Sequence, residues 1–391
     1  MMSEINLQQA LWNSNFDEIE KVLSNNPKEF ETINSHNRNQ FFTTLIKKNK
    51  FTILELLINN QIITTDLYEY DTLDNSFFAA LFSNLNEDEE SLAFFESFLS
   101  KIENNNDAVS GKTLIQLALI SKVKPVIISQ LIASGCNANY KDNSENTYLH
   151  TLLKQYGVDD KLLIEYIQLF INEGVDIESE NIINETPLFV AVKNNKIAAL
   201  EILLDNGANA NHQNKNGESV FYECIANKRS LTMLEILCRY NSIDFEKVTK
   251  NEGTILFDFL RNSSDSEINI LTVLIDQGAD FNQESLHYQM RTPLTLLPEM
   301  PTSFFEKIID SDVIDIQQQD NSGNTILHYL CSFDINYDEL KAKELYKKVK
   351  YLLSKNVDVE VTNHEDKTPM QLALIDNLKE KIVALILNSK K

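Results

Sequence analysis

A threonine or serine returns along this chain at a nearly constant interval, and that return limits the possible folds more than any other feature. Thr113, Thr147, Thr186, Ser219, Thr254, Thr292, Thr325 and Thr368 each open a short apolar run, at intervals of 34, 39, 33, 35, 38, 33 and 43 residues. Weaker copies stand near Gln40 and Ser76. A second pattern follows each opening: two or three aliphatic residues, a short polar gap, then Gly or Asn with a small residue after it. It occurs in "QLIASGCNAN", "LFINEGVDIE", "ILLDNGANAN", "VLIDQGADFN" and "YLLSKNVDVE". A period of 20–50 residues marks a stacked repeat architecture, in which no unit buries its apolar face alone.

Each position has a physical role. The Thr or Ser is a helix N-cap, accepting a bond from a first-turn N–H that lacks a helical partner. Pro187, Pro293 and Pro369 fall at the first helical position, where a missing N–H does no harm. The run Leu188, Val190 and Ala191 forms a short first helix, and Leu200, Ile202, Leu203 and Leu204 form its partner. Seven of the nine glycines lie at two repeat positions. Gly135, Gly174, Gly207 and Gly278 end second helices as left-handed caps, and Gly111, Gly217 and Gly323 stand in the turn before the next cap. Asn184 and Asn356 replace glycine at such turns, Asn being a residue that tolerates positive φ.

Thr186-Pro187-Leu188 with Ala191, then Asn206-Gly207-Ala208, resembles the ankyrin repeat. So do Thr147-Tyr148-Leu149-His150 and Thr325-Ile326-Leu327-His328. The resemblance runs from about residue 37 to the end of the sequence. It implies an all-α solenoid of about ten stacked helix-turn-helix units with hairpin-like loops along one edge. The expected organisation is a capping helix pair over 1–36, degenerate repeats over 37–108, ankyrin repeats over 109–362 and a capping repeat over 363–391. Gly, Pro and the His are missing from several units, and insertions follow Asp66, Lys154, Asn262 and Ser332. In the first cap Ile5, Leu7, Leu11, Phe16, Ile19, Val22 and Leu23 have helical spacing. In the last, Ile382, Val383, Leu385, Ile386 and Leu387 do, with Lys390 and Lys391 suiting the negative end of a helix dipole. The array is expected to fill the chain without an appended catalytic domain.

The net charge of −23 repels phosphate backbones and anionic membranes, so neither is expected as a partner. The lysines from Lys341 to Lys350 are interleaved with acids and read as a solvated helix face. No apolar stretch approaches the length that spans a bilayer, and "MMSEINLQQALW" lacks the features of a secretory signal. Cys136, Cys224, Cys238 and Cys331 have neither CxxC spacing nor a disulfide framework. A reducing cytoplasm is the expected location.

The sequence has no Gly-rich phosphate loop, HExxH or GxSxG. His150 and His328 occupy the position where the resemblance implies a ring bracing neighbouring loops. His328 and Cys331 are three apart on one predicted helix and could share a metal, but no further ligand is near in sequence. Cys224 and Cys331 align with small core positions. Cys136 and His212 would need a bridging geometry to form a nucleophile pair. No catalytic residue, metal or cofactor is therefore expected, and the chain is not expected to be an enzyme.

In a repeat array the framework residues are fixed by packing and the exposed ones are free to vary. Here the tips differ sharply between units, as do the ends of the first helices. Ile182, Ile183, Lys193, Lys215, Arg261, Tyr288 and Arg291 are the expected partner contacts, since aromatic, Arg and apolar anchors dominate interfaces. Ile182 and Ile183 could equally fill the gap between adjacent hairpins. The expected function is a non-catalytic scaffold holding a protein through its concave face and loop tips. The acidic charge favours a partner with a basic surface. The alternative is an effector enzyme or covalent modifier using an inserted loop, 154–163 or 332–346. The Asn-, Ile- and Lys-rich degenerate repeats also resemble ankyrin-repeat effectors that intracellular bacteria deliver into host cytosol.

Overall fold

The computed structural model describes residues 7–389, the side chains of Ser35 and His36 excepted. Ile5 of the expected first cap, and Lys390 and Lys391 of the last, lie outside the described residues. The chain divides into two compact units, Met1–Ile182 and Ile183–Lys391. Both are built from antiparallel helix pairs. Among the described residues there are no strands, only isolated bridges, and the antiparallel ones close hairpins, such as Gln213 with Ser219 and Val248 with Thr254.

In unit 1 the pairs are Leu7–Trp12 with Phe16–Asn25, Ser35–Lys47 with Phe51–Asn59, Phe77–Asn84 with Glu89–Leu99, Leu114–Ile120 with Pro125–Ala133, and Tyr148–Lys154 with Asp160–Asn172. The degenerate early segment folds the same way on an aromatic core. Phe30 stacks on Phe42 at 5.4 Å, Phe42 meets Phe77 edge-on at 5.2 Å, and Phe77 meets Phe98 at 5.3 Å. Rings here supply burial that small and aliphatic residues supply in later repeats, so the segment keeps its pairs with little of the repeat pattern.

Unit 2 pairs Pro187–Lys193 with Ile197–Asp205, and Val220–Tyr222 with Leu231–Tyr240. Ile255–Arg261 pairs with Ile268–Asp276, the turn Pro293–Leu296 with Thr302–Asp310, Ile326–Ser332 with Glu339–Leu353, and Pro369–Ala373 with Glu380–Ser389. Thr186 and Ser219 cap their helices through their side chains, and Thr113 and Thr368 do so reciprocally with Gln116 and Gln371. Gly207 and Gly217 have φ of +93° and +74°, and Asn184 and Asn356 stand at +57° and +59°. The left-handed turns thus lie where the Gly and Asn pattern puts them. Leu200, Leu203 and Leu204 turn one face of their helix into the core.

Local differences from the pattern have local causes. The first helix after Ser219 widens into a π-helical stretch, Glu223–Lys228, which ends at left-handed Arg229. After Thr292 the first helix shrinks to one tight turn. Thr254 does not cap, and its buried hydroxyl has no partner among the described residues. The insertion after Ser332 leads into the longest second helix, Glu339–Leu353.

That insertion corrects the reading of Lys341 to Lys350 as a wholly solvated face. Lys348 is 1% exposed. Its Nζ donates to the carbonyls of Leu297, Pro298 and Met300 at 3.3, 2.7 and 2.5 Å. Lys379 donates likewise to the Cys331 carbonyl at 2.8 Å, and Arg229 to Phe259 at 2.9 Å. All three cations meet carbonyls at the ends of first-helix segments, where backbone acceptors lack partners and the helix dipole is negative. Burial holds the Lys348 pKa down at about 8.

Candidate functional site

Four pairs of neighbouring hairpin tips in unit 2 are joined backbone to backbone. Lys215 N–H donates to Ile183 at 2.9 Å, Lys250 to Asn216 at 2.6 Å, His287 to Glu252 at 3.3 Å and His364 to Ser322 at 2.9 Å. These bonds hold the tips in a row and leave their side chains outward. The tip before Thr292 is different. Its bridge closes at Arg291 rather than at Thr292, and Thr292 does not cap the following turn through its side chain as the repeat pattern leads one to expect. Gln289 and Met290 are both left-handed, with φ of +61° and +59°. Two adjacent non-glycine residues in that region store backbone strain of order 1–3 kcal/mol each.

This tip carries Tyr288 onto the neighbouring first helix. The Tyr288 ring stacks on Phe257 at 4.6 Å, with the Arg261 guanidinium 4.9 Å from its centre. The Arg291 guanidinium lies 6.0 Å from the Phe257 ring and 3.5 Å from Glu299. Three of the expected contacts, Arg261, Tyr288 and Arg291, therefore gather around Phe257. Leu286 and Met290 stand exposed at the rim, at 49% and 58%.

Under this platform lies Asp258. Tyr222 donates its hydroxyl to Oδ2 at 2.8 Å and Tyr288 donates to Oδ1 at 2.9 Å. Burial, followed by the Asp258 charge, pushes the Tyr222 phenol far above its ordinary value. Tyr288 shifts the same way, through burial and its bond to Asp258. Both hydroxyls stay protonated at neutral pH. A Cβ on Gly253 would sit 2.6 Å from Asp258 Oδ2, so the missing side chain makes room for the carboxylate. Beside the cluster opens a cavity of about 260 Å³ lined by Glu218, Tyr222, Lys250, Asp258, His287 and Tyr288, among others.

The other expected contacts are spread out. Ile182 ends unit 1, where its N–H donates to Ser144 at 2.9 Å, and Ile183 begins unit 2. Their side chains are 53% and 44% exposed rather than buried between hairpins. Lys193 pairs with buried Glu185 at 2.6 Å. Lys215, Lys250 and Arg261 form no ion pair among the described residues. Sequence reasoning missed Asp258, Tyr222, Glu218 and Gly253. Acids are too common here for Asp258 to stand out, but Gly253 falls outside the two recurrent glycine positions and was a readable sign of close approach.

The residues considered for catalysis are held in structural roles. His328 Nδ1 accepts from Thr325 N–H at 3.1 Å, and Nε2 lies 3.1 Å from the Lys367 carbonyl, so the ring joins two repeats. His150 accepts from Thr147 N–H at 3.2 Å. Burial pushes the Cys331 thiol up to about 12, and Cys136 and Cys238 to about 11, away from thiolate chemistry. Among the described residues no three His, Cys, Asp or Glu side chains gather as metal ligands would.

Comparison with known proteins agrees with this geometry. A family model described as ankyrin repeats, in three copies, matches residues 156–249 and 188–285. An ankyrin repeat protein of Acanthamoeba polyphaga mimivirus is 25% identical over 231 residues, 59% of this chain and 29% of its own. A Dictyostelium discoideum protein named for serine/threonine kinase activity is 30% identical over 144 residues, 36% of this chain and 16% of its own. The chain thus spans less than a third of either relative. The crystal structure of the ankyrin repeat domain of Bcl-3 aligns with a TM-score of 0.50 and 19% identity, covering 63% of this chain and all of that domain. That likeness concerns the fold.

Proposed function

Because the chain belongs to the ankyrin-repeat proteins, we propose that it is a non-catalytic scaffold that holds a partner protein on its hairpin tips and first-helix ends. The observation that carries this reading is the Tyr288 platform. A strained tip spends free energy to present an aromatic ring, two arginines and two apolar side chains at one exposed place. Lys193, Lys215 and Ile183 extend the surface along unit 2, and Ile182 is the corresponding tip contact of unit 1. The net charge of −23 favours a partner with a basic surface and speeds the encounter.

A cytoplasmic setting is part of the same proposal. The four cysteines are free thiols, and among the described residues no helix is long and apolar enough to cross a membrane. A role as a bacterial effector in host cytosol is a narrower form of this reading, carried by composition alone. The enzyme alternative would place its site at 154–163 or 332–346. Beside 332–346 the nearest His and Cys, His328 and Cys331, are buried in the framework, and so is His150 beside 154–163.

The test is affinity capture from eukaryotic cytosol with the wild type, with Tyr288→Ala/Arg291→Ala, and with Glu201→Gln/Glu235→Gln on second helices. The scaffold reading expects a protein lost only in the first variant. Capture lost only in the second would move the interface off the tips, and catalytic turnover destroyed by changes in 332–346 would favour the enzyme.

A further inference from the structure

The cavity beside Asp258 has a chemistry more specific than a general contact surface. Both phenols spend their only proton on the Asp258 carboxylate. Tyr222 and Tyr288 therefore turn only acceptor lone pairs toward anything else. Asp258 keeps further lone pairs, since each oxygen accepts one bond from these tyrosines and a carboxylate offers about four acceptor sites. Glu218 adds a second carboxylate, held by Asn214 Nδ2 at 2.8 Å. Lys250 reaches the rim without pairing to either acid. Arg261, one turn along from Asp258 on the same helix, is turned onto the Tyr288 ring. The result is a fixed, acceptor-rich hollow of about 260 Å³ whose acids outnumber its lysine.

We propose that this hollow receives a lysine or arginine side chain of the partner, with its ammonium or guanidinium donating to Asp258 and Glu218. The occupant must bring donors and positive charge, because the phenol protons are committed and the carboxylates are left to accept. An anionic side chain would face both acids, and an apolar one would strip them of water without replacing the lost bonds. The chain's overall charge has the matching sign. The inference rests on the scaffold reading and names the chemistry of one contact within it.

The test uses the full chain and a fluorescein-labelled oligo-arginine peptide, read by fluorescence anisotropy at physiological ionic strength so that distant charges are screened. Asp258→Asn and Glu218→Gln keep the side-chain shape and, each on its own, are expected to weaken binding about tenfold. Removing one acid elsewhere, with Glu235→Gln, is expected to weaken it less than about twofold. Equal loss in all three variants, no binding by the wild type, or equal binding of an oligo-glutamate peptide would overturn the site. Thermal melts of each variant separate lost binding from lost fold, and Glu218→Gln serves if Asp258→Asn does not fold. The two proposals fail in different ways. Partner capture kept by Asp258→Asn but lost in Tyr288→Ala/Arg291→Ala sinks the cation site and leaves the scaffold. Oligo-arginine bound through Asp258 with no protein captured supports the site and sinks the scaffold.

Discussion

At the scale of the residue, Gly217 and Gly207 show why the same amino acid at two repeat positions has two different costs. Both are left-handed. A Cβ on Gly207 meets nothing, whereas one on Gly217 would lie 2.7 Å from Lys250 N and 2.9 Å from Val248 O. Gly207→Ala should cost about 1 kcal/mol of stability in urea melts, and Gly217→Ala clearly more, with loss of partner binding because two tips are pushed apart. Equal costs would mean that the row of tips tolerates separation. His328 gives the pH dependence. Burial holds its pKa below the ordinary imidazole value, so the unfolded chain binds the proton more readily. Its share of stability is full above about pH 6.5 and drains as pH falls toward the lowered folded value. His328→Gln should keep the bond to Thr325 N–H, as Gln116 and Gln371 do at the same position, and should flatten that part of the pH curve. A curve left unchanged would assign the dependence to other groups. Lys348→Met leaves three carbonyls without their donor and should cost about 3 kcal/mol by urea denaturation; a neutral result would show that the buried charge is a burden equal to its bonds.

At the scale of the element, much was legible and the reasons are specific. Thr186-Pro187 states a cap and a first turn, and both are present. Asn184 and Asn356 stood where glycine would, and both are left-handed. The early segment was harder, because its pairs are held by Phe–Phe contacts that leave little trace of a repeat. Lys348 departs from the solvated-face reading because periodicity places a residue on its own helix, not against the preceding repeat's carbonyls. The site was half legible. Tyr288, Arg261 and Arg291 stood out by type, but Asp258 acquires meaning only once two tyrosines, each more than 25 positions away along the chain, point at it. Trp12 is 73% exposed, so its emission is already close to that of the unfolded chain and would report poorly on melting of the first pair. Amide hydrogen exchange is the better measurement. Amides of Phe16–Asn25 should exchange faster than those of Ile197–Asp205, since the former helix buries only Ile19 and Leu23 whereas the latter buries Ala199, Leu200, Leu203 and Leu204. Equal protection would contradict this.

At the scale of the whole molecule, function is expected to reside in what the framework leaves outside. The buried Thr, His and Leu positions serve the framework wherever they occur, whereas Lys215, Tyr288 and Arg291 differ from tip to tip. Leu203→Ala should cost about 2–5 kcal/mol as a cavity while leaving partner contacts in place, so binding per folded molecule should be unchanged. The deciding measurement is the hydrogen-exchange footprint of the full chain with and without its captured partner. The account predicts new protection at residues 214–218, 249–253 and 285–291. Protection confined to 332–346, or to the second helices Ile197–Asp205 and Leu231–Tyr240, would contradict it.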